Sequence, residues 1–311
     1  MKLRWTAALA ATAVAAAAVG CSPGGGGEEA AGEHYYVSLG DSLAVGVQPG
    51  DEGPVETSEG YTDVLYRDLY GTDSGLRHER MGCSGEDTTT FTEGGLPDCA
   101  YAEGSQLRAA EAFLADHRGE VDLVTVGIGA NNFTGCAQRD DGTVDTDVDT
   151  ACVEDGLRRL EEEAPRIAER LRDAAGPDVE IVGMTYYNPF LAALLVEDVN
   201  EQISGGADGP EADEPSNRDL AAYSTEVLER ANGTLVDAYT AEDIEVADVA
   251  AAFDSADTAV PEDSVTGMPA NVQRICDYTY MCDTALGPDI HTNEAGAREI
   301  ARVFRETVDA G

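Results

Sequence analysis

A serine on a tight turn, a glycine N–H with no side chain to shield it, an asparagine amide and a histidine close to a carboxylate are the parts an acyl-transfer site requires. All four occur here, in separate blocks. Ser42 stands in Gly40-Asp41-Ser42-Leu43, where a nucleophile would need a base to take its proton and donors to hold the oxyanion that forms. Gly85, in Gly82-Cys83-Ser84-Gly85-Glu86-Asp87, offers a backbone N–H that no Cβ obstructs. Asn131, in Gly129-Ala130-Asn131-Asn132, can donate its side-chain amide to the same oxygen. His291, in Asp289-Ile290-His291-Thr292-Asn293, combines a carboxylate close in sequence, Asp289, with a place at a loop-to-helix boundary. The competing bases His34, His78 and His117 read as surface residues. Taken singly, each candidate also has a structural reading: Ser42 as a helix N-cap, Gly85 as a turn residue, Asn131 as a cap, His291 as a half-buried ring.

Groups so far apart in sequence converge only if the fold delivers them to one edge. Short runs rich in Val, Ile and Leu at Tyr35–Leu39, Leu76–Met81, Val121–Ile128, Val179–Tyr187 and Thr234–Tyr239 read as strands. Helical patterns at Tyr61–Tyr70, Ser105–His117, Val153–Ala174, Asn217–Asn232 and Glu294–Val308 separate or follow them. Near-continuous apolar strands alternating with helices predict an α/β fold, a three-layer α/β/α sandwich around a mainly parallel sheet. In such sheets ligands bind beyond the carboxyl ends of the strands. Three of the four blocks directly follow predicted strands, and the His291 block precedes the last helix.

The chain has 311 residues, 42% hydrophobic, so a disordered or collagen-like protein is excluded. Its formal charge is −42, and Lys2 is its only lysine. That charge argues against any nucleic-acid partner, because phosphate neutralisation needs a basic face. It also repels anionic headgroups, so membrane attachment must come from something other than the folded surface. Residues 1–20, with Lys2 and Arg4 before an Ala/Val run, have the form of an export signal and are too short for a convincing membrane span. The sequence Ala18-Val19-Gly20-Cys21 resembles a bacterial lipobox, which makes Cys21 a candidate lipidation site; simple secretion is the alternative. Residues 21–33 read as a flexible tether, and residues 34–311 as the folded domain.

Six cysteines remain after Cys21, an even number that in an exported protein argues for disulfides. Their separations favour nearest neighbours: Cys83–Cys99, Cys136–Cys152 and Cys276–Cys282. No CxxC pair supports a zinc site, and no metal or cofactor is called for. The acidic stretch Arg139–Thr150 does not match a calcium loop, since Thr150 falls where Gly is needed and Gly156 where Glu is needed. It reads as a solvated insertion, as does Gln202–Ser216, while Ala192–Val199 is a candidate acyl groove or core segment.

The four blocks, in this order, resemble the SGNH hydrolases, also called the GDSL esterase/lipase family. The similarity runs from about Tyr35 to Val308 and is closest to exported actinobacterial members, through GCSGE at Gly82–Glu86, SQLRAAEAFL at Ser105–Leu114, DLVTVGIGANN at Asp122–Asn132, YYNPFLA at Tyr186–Ala192 and ICDYTYMC at Ile275–Cys282. The resemblance implies the flavodoxin-like fold of that family, Ser42 as nucleophile, His291 as general base, and an oxyanion hole built from the Ser42 and Gly85 N–H groups and the Asn131 side chain. Two departures stand out. Asn132 replaces the usual Asp of the third block, and Pro288 occupies the position three before the histidine where the family places its acid. Either Asp289 or a main-chain carbonyl, such as that of Pro288, is left to orient His291. The expected protein is an exported, monomeric serine ester hydrolase acting on small-molecule or lipid acyl esters. The alternatives are an envelope polysaccharide deacetylase or acyltransferase, and a non-catalytic surface binding lipoprotein on the same fold.

Overall fold

Five parallel strands form the central sheet: β1 (His34–Gly40), β2 (Leu76–Arg80), β3 (Val121–Gly127), β4 (Glu180–Met184) and β5 (Glu245–Ala247), in the order β2-β1-β3-β4-β5. The computed structural model describes residues 32–50, 53–137, 148–192, 217–262, 264 and 267–310. The expected export signal, Cys21, nearly all of the tether, most of Arg139–Thr150, most of Ala192–Val199 and all of Gln202–Ser216 lie outside them. In β1, Tyr36, Val37, Ser38 and Leu39 are all fully buried, as expected of a strand covered on both faces.

The helices are α1 (Tyr61–Thr72), α2 (Thr88–Glu93), α3 (Gln106–Asp116), α4 (Thr150–Ala175), α5 (Asn217–Ala241), α6 (Val249–Ala252), α7 (Ala270–Tyr278) and α8 (Glu294–Val308). In one layer α1 packs against α8, and Tyr61 stacks on Phe304 with ring centroids 4.9 Å apart. In the other, α3, α4 and α5 lie side by side. The three-layer α/β/α arrangement is therefore the one the hydrophobic pattern implied. All three cysteine pairs are disulfides, with Cα–Cα distances of 5.9 Å for Cys83–Cys99, 5.7 Å for Cys136–Cys152 and 5.0 Å for Cys276–Cys282.

One predicted strand is corrected. Thr234–Tyr239 belongs to α5, whose buried residues Leu228, Ala231, Leu235, Ala238 and Tyr239 follow a helical spacing. Tyr239 packs so closely over Gly183 of β4 that a Cβ at Gly183 would collide with its ring. The actual fifth strand has three residues, too few to show a period. The predicted strand Val179–Tyr187 also ends early, at Met184, and Thr185–Asn188 become the loop that leads into the site.

Candidate active site

Strand order reverses between β1 and β3, since the chain passes from β1 to β2 on one side and then returns to β3 on the other. This is the switch point at which open α/β sheets form their crevice. Ser42 leaves the end of β1 there, and Asn131 leaves the end of β3. Gly40 makes the exit possible. It has φ +142°, and a Cβ on it would collide with the carbonyl oxygen of Gly127, the same oxygen that accepts the Asp41 N–H at 3.1 Å. A buried amide clamps the same residue, as Gln106 Oε1 accepts the Gly40 N–H at 2.6 Å and its Nε2 donates to the Gly40 carbonyl at 3.0 Å. Residues 42–46 then form turns, so Ser42 does not cap a helix.

The neighbouring Asp41 is 2% exposed. Its Oδ1 accepts the Leu43 N–H at 3.0 Å and its Oδ2 accepts the Tyr186 hydroxyl at 2.9 Å. Burial pushes this carboxyl up to about 6, against the pull of those donors and of His291. Asp41 and Tyr186 were not singled out by the sequence reading as site residues. The Tyr186-Tyr187-Asn188 run at the end of the predicted strand is a signal for Tyr186, because paired aromatic hydroxyls at a carboxyl edge have no core reason to be polar.

His291 is held by Asp289. Its Nδ1 lies 2.7 Å from Asp289 Oδ1, which also accepts the His291 backbone N–H at 2.8 Å. Of the two orienting groups left open by the sequence, the geometry uses the carboxylate. Burial works to raise the Asp289 carboxyl, but the His291 ring and backbone N–H outweigh it and leave it below the usual carboxylate range. With Nδ1 bound in this way, Nε2 is the nitrogen that can take a serine proton. The loop is fixed from the α7 side: Tyr280 N–H donates to the His291 carbonyl at 3.1 Å, and Asp289 N–H donates to the Tyr280 carbonyl at 3.4 Å. Asn293 caps α8, accepting from Ala295 and Gly296 N–H at 2.9 and 3.1 Å, and its Nδ2 reaches back to the Asp277 carbonyl at 3.0 Å.

Asn131 sits in a 3-10 turn, Ala130–Asn132. Its Nδ2 donates to the Glu86 carbonyl at 2.9 Å, which orients the amide and leaves its second proton for a ligand. Gly85, with φ +84°, precedes that carbonyl. Among the described residues, neither the Ser42 nor the Gly85 N–H is used in a backbone hydrogen bond. Asn132 has a structural task. Its Oδ1 accepts the Thr88 N–H at 3.0 Å and its Nδ2 donates to Thr88 Oγ1 at 2.6 Å, pinning α2 beside Gly85. The donation to Thr88 requires an amide, which accounts for Asn where the family pattern has Asp.

Ser42, Asn131 and His291 line one cavity, whose further walls include Phe133, Ala137, Val153, Phe190, Val227 and Leu228. None of the other histidines does. His34 and His117 lie elsewhere, and His78 differs from its surface reading: it is half-buried on β2, stacked on Tyr36 at 4.7 Å with Nε2 bonded to Ser38 Oγ at 2.8 Å, and burial depresses its pKa to about 4.

A parallel α/β sheet whose switch point gathers a serine, an asparagine amide and a carboxylate-held histidine holds the parts that acyl transfer requires. Residues 38–299 match the GDSL-like lipase/acylhydrolase family, and the chain belongs to it as a carboxylic ester hydrolase. A comparison with curated proteins finds no match. Among solved structures it is similar to an extracellular lipase from Streptomyces rimosus, at 16% identity and TM-score 0.50 over 88% of this chain and 99% of that one. It also aligns with the lipase Lip_vut3 from a goat rumen metagenome, at 14% identity and TM-score 0.49 over 88% and 97%. An acetylxylan esterase from Geobacillus stearothermophilus, in its S15A form, aligns at 14% identity and TM-score 0.48 over 90% and 96%.

Proposed function

We propose that this ester hydrolase is an exported serine esterase or lipase in which Ser42 attacks, His291 transfers the proton and Asp289 orients the histidine. One observation carries the reading: Ser42, Asn131 and His291, from three distant parts of the chain, face a single cavity. His291 Nε2 takes the Ser42 proton as Oγ bonds to the ester carbonyl carbon. The oxyanion is met by the Ser42 and Gly85 N–H groups and the Asn131 amide. Collapse of the tetrahedral species breaks the bond to the leaving alcohol, which receives the proton from His291. Water then repeats the cycle on the acyl-enzyme, releasing the acid and restoring the serine.

The cavity wall beyond Ser42 is mostly apolar, which favours an acyl group with a hydrocarbon portion over an acetylated glycan, whose hydroxyls would find few partners there. Export is supported by the three disulfides and by the form of residues 1–20, with Cys21 as the lipid-anchor candidate. Among the described residues no helix is long and apolar enough to cross a membrane.

The test is hydrolysis of p-nitrophenyl esters from acetyl to palmitoyl by the wild type and Ser42→Ala, at low and high salt. Activity that disappears in Ser42→Ala and peaks beyond acetyl is the expected result. Activity retained in Ser42→Ala overturns the assignment of the nucleophile, and cleavage confined to acetylated glycans favours the deacetylase reading.

A further inference from the structure

Tyr186 and Tyr187 follow β4 side by side, and their hydroxyls end on the two loops that carry Ser42 and His291. Tyr186 Oη donates to Asp41 Oδ2 at 2.9 Å, on the residue immediately before Ser42. Tyr187 Oη donates to the Ile290 carbonyl at 2.7 Å, on the residue immediately before His291. Both side chains are 4% exposed, and burial raises both phenols well above their ordinary range, so they act as donors and do not ionise.

The base of this pair is itself fixed. Asn232 of α5 holds the Tyr186 peptide from both sides, its Oδ1 accepting the N–H at 2.8 Å and its Nδ2 donating to the carbonyl at 2.8 Å. The Tyr187 ring stacks on Phe253 with centroids 4.5 Å apart and an interplanar angle of 10°. Among the described residues no strand ladder joins the Ser42 turn to the His291 loop: the first leaves β1 in the middle of the sheet, and the second enters α8. A proton transfer between them nevertheless needs a separation held near hydrogen-bond length.

We propose that Tyr186 and Tyr187 are positioning residues that together bracket the active site, one hydroxyl fixing the Asp41 carboxylate that holds the Leu43 N–H across Ser42, the other fixing the Ile290 carbonyl before His291, and so setting the distance from Ser42 to His291. The proposal rests on the reading of Ser42 and His291 as nucleophile and base.

The test compares wild type with Tyr186→Phe and Tyr187→Phe, each of which removes one oxygen and keeps the ring. Tyr36→Phe is the control, because it removes an equally buried hydroxyl, bonded to Thr125 Oγ1 at 2.9 Å inside the sheet. The readouts are the rate of Ser42 phosphonylation by a fluorophosphonate probe, kcat and KM on a p-nitrophenyl ester, and the melting midpoint. Expected is a fall of about tenfold to a hundredfold in phosphonylation rate and kcat in both site variants, with KM within about twofold, as for a misplacement of about 1 Å. Tyr36→Phe is expected to melt earlier with kcat unchanged. Phosphonylation as fast in both site variants as in wild type overturns the bracket, as does an equal loss of kcat in Tyr36→Phe. Wild-type protein that resists the probe overturns the underlying assignment of Ser42 instead. Should a phenylalanine variant fail to fold, Asn232→Ala keeps both hydroxyls while freeing the Tyr186 peptide; lowered kcat at unchanged KM supports the bracket, and unchanged kcat counts against it.

Discussion

A single oxygen of Asp289, Oδ1, accepts two hydrogen bonds from His291, one from the ring Nδ1 at 2.7 Å and one from the backbone N–H at 2.8 Å. The two-residue spacing makes this closure possible, because the carboxylate reaches forward over Ile290 to both donors. The ring is then fixed relative to its own main chain, and in the proposed mechanism the ionised carboxylate faces the imidazolium formed in each proton transfer. Replacing Asp289 by Asn keeps the size but removes the charge and allows the wrong tautomer. A loss of at least about a hundredfold in kcat is expected, with KM little changed. Steady-state kinetics on a p-nitrophenyl ester measures it.

Asn131 is oriented by the Glu86 carbonyl, and its second amide proton is the one proposed to meet the oxyanion. Asn131→Ala is expected to lower kcat by about 10² to 10³ with little change in the melting midpoint. Asn132→Ala is expected to behave differently. It removes the bonds to Thr88 and leaves a buried cavity, so the melting temperature should fall first. Equal thermal losses in the two variants would contradict this division of roles.

Glu86 is almost fully buried, and burial pushes its carboxyl up to about 7, with Asp87 and Asp41 adding to the effect. Between the ordinary glutamate value and 7 the folded chain binds a proton that the unfolded chain has released. The contribution of Glu86 is therefore favourable at low pH and is lost as pH rises through about 7. Glu86→Gln should raise unfolding free energy at pH 8 by about 1 to 3 kcal/mol and have little effect near pH 4.5. Urea unfolding of both proteins at the two pH values decides the sign.

The Cys276–Cys282 disulfide closes the segment whose Tyr280 bonds to both Asp289 and His291. Cys276→Ser with Cys282→Ser should cost about 2 kcal/mol of stability in the chain-entropy description of so short a loop. Because the loosened segment holds the loop of the proposed base, kcat should fall as well, measured well below the melting point. Removing Cys136–Cys152, which is not bonded to the histidine loop, should reduce stability with a smaller effect on kcat.

With a formal charge of −42, the surface repels itself. Arginines such as Arg158, Arg230 and Arg302 pair with two carboxylates each, yet the sequence sets 61 acids against 19 Lys and Arg. Raising sodium chloride from 0.05 to 1 M, which shortens the screening length to about 3 Å, should raise the melting midpoint. A midpoint independent of salt would remove self-repulsion from the account.

The parts of this protein carried by residue type and period were legible in the chain itself. Apolar runs in β1 and β3 marked the buried strands, cysteine separations marked the disulfides, and the four blocks supplied the candidates Ser42, Gly85, Asn131 and His291, of which Ser42, Asn131 and His291 line one cavity. The fifth strand was not legible, because three residues carry no period, and the Thr234–Tyr239 run reads as a strand until a helix places Tyr239 over Gly183. Long-range polar bonds were likewise hidden. Nothing in local sequence says that Gln106 will clamp Gly40, that Tyr186 will meet Asp41 across 145 residues, or that Asp289 and not a carbonyl will hold His291. Those pairings depend on where the parallel sheet reverses its strand order and on how the helices pack against it. Composition and spacing determined which groups were present, and only the folded chain decided which of them meet.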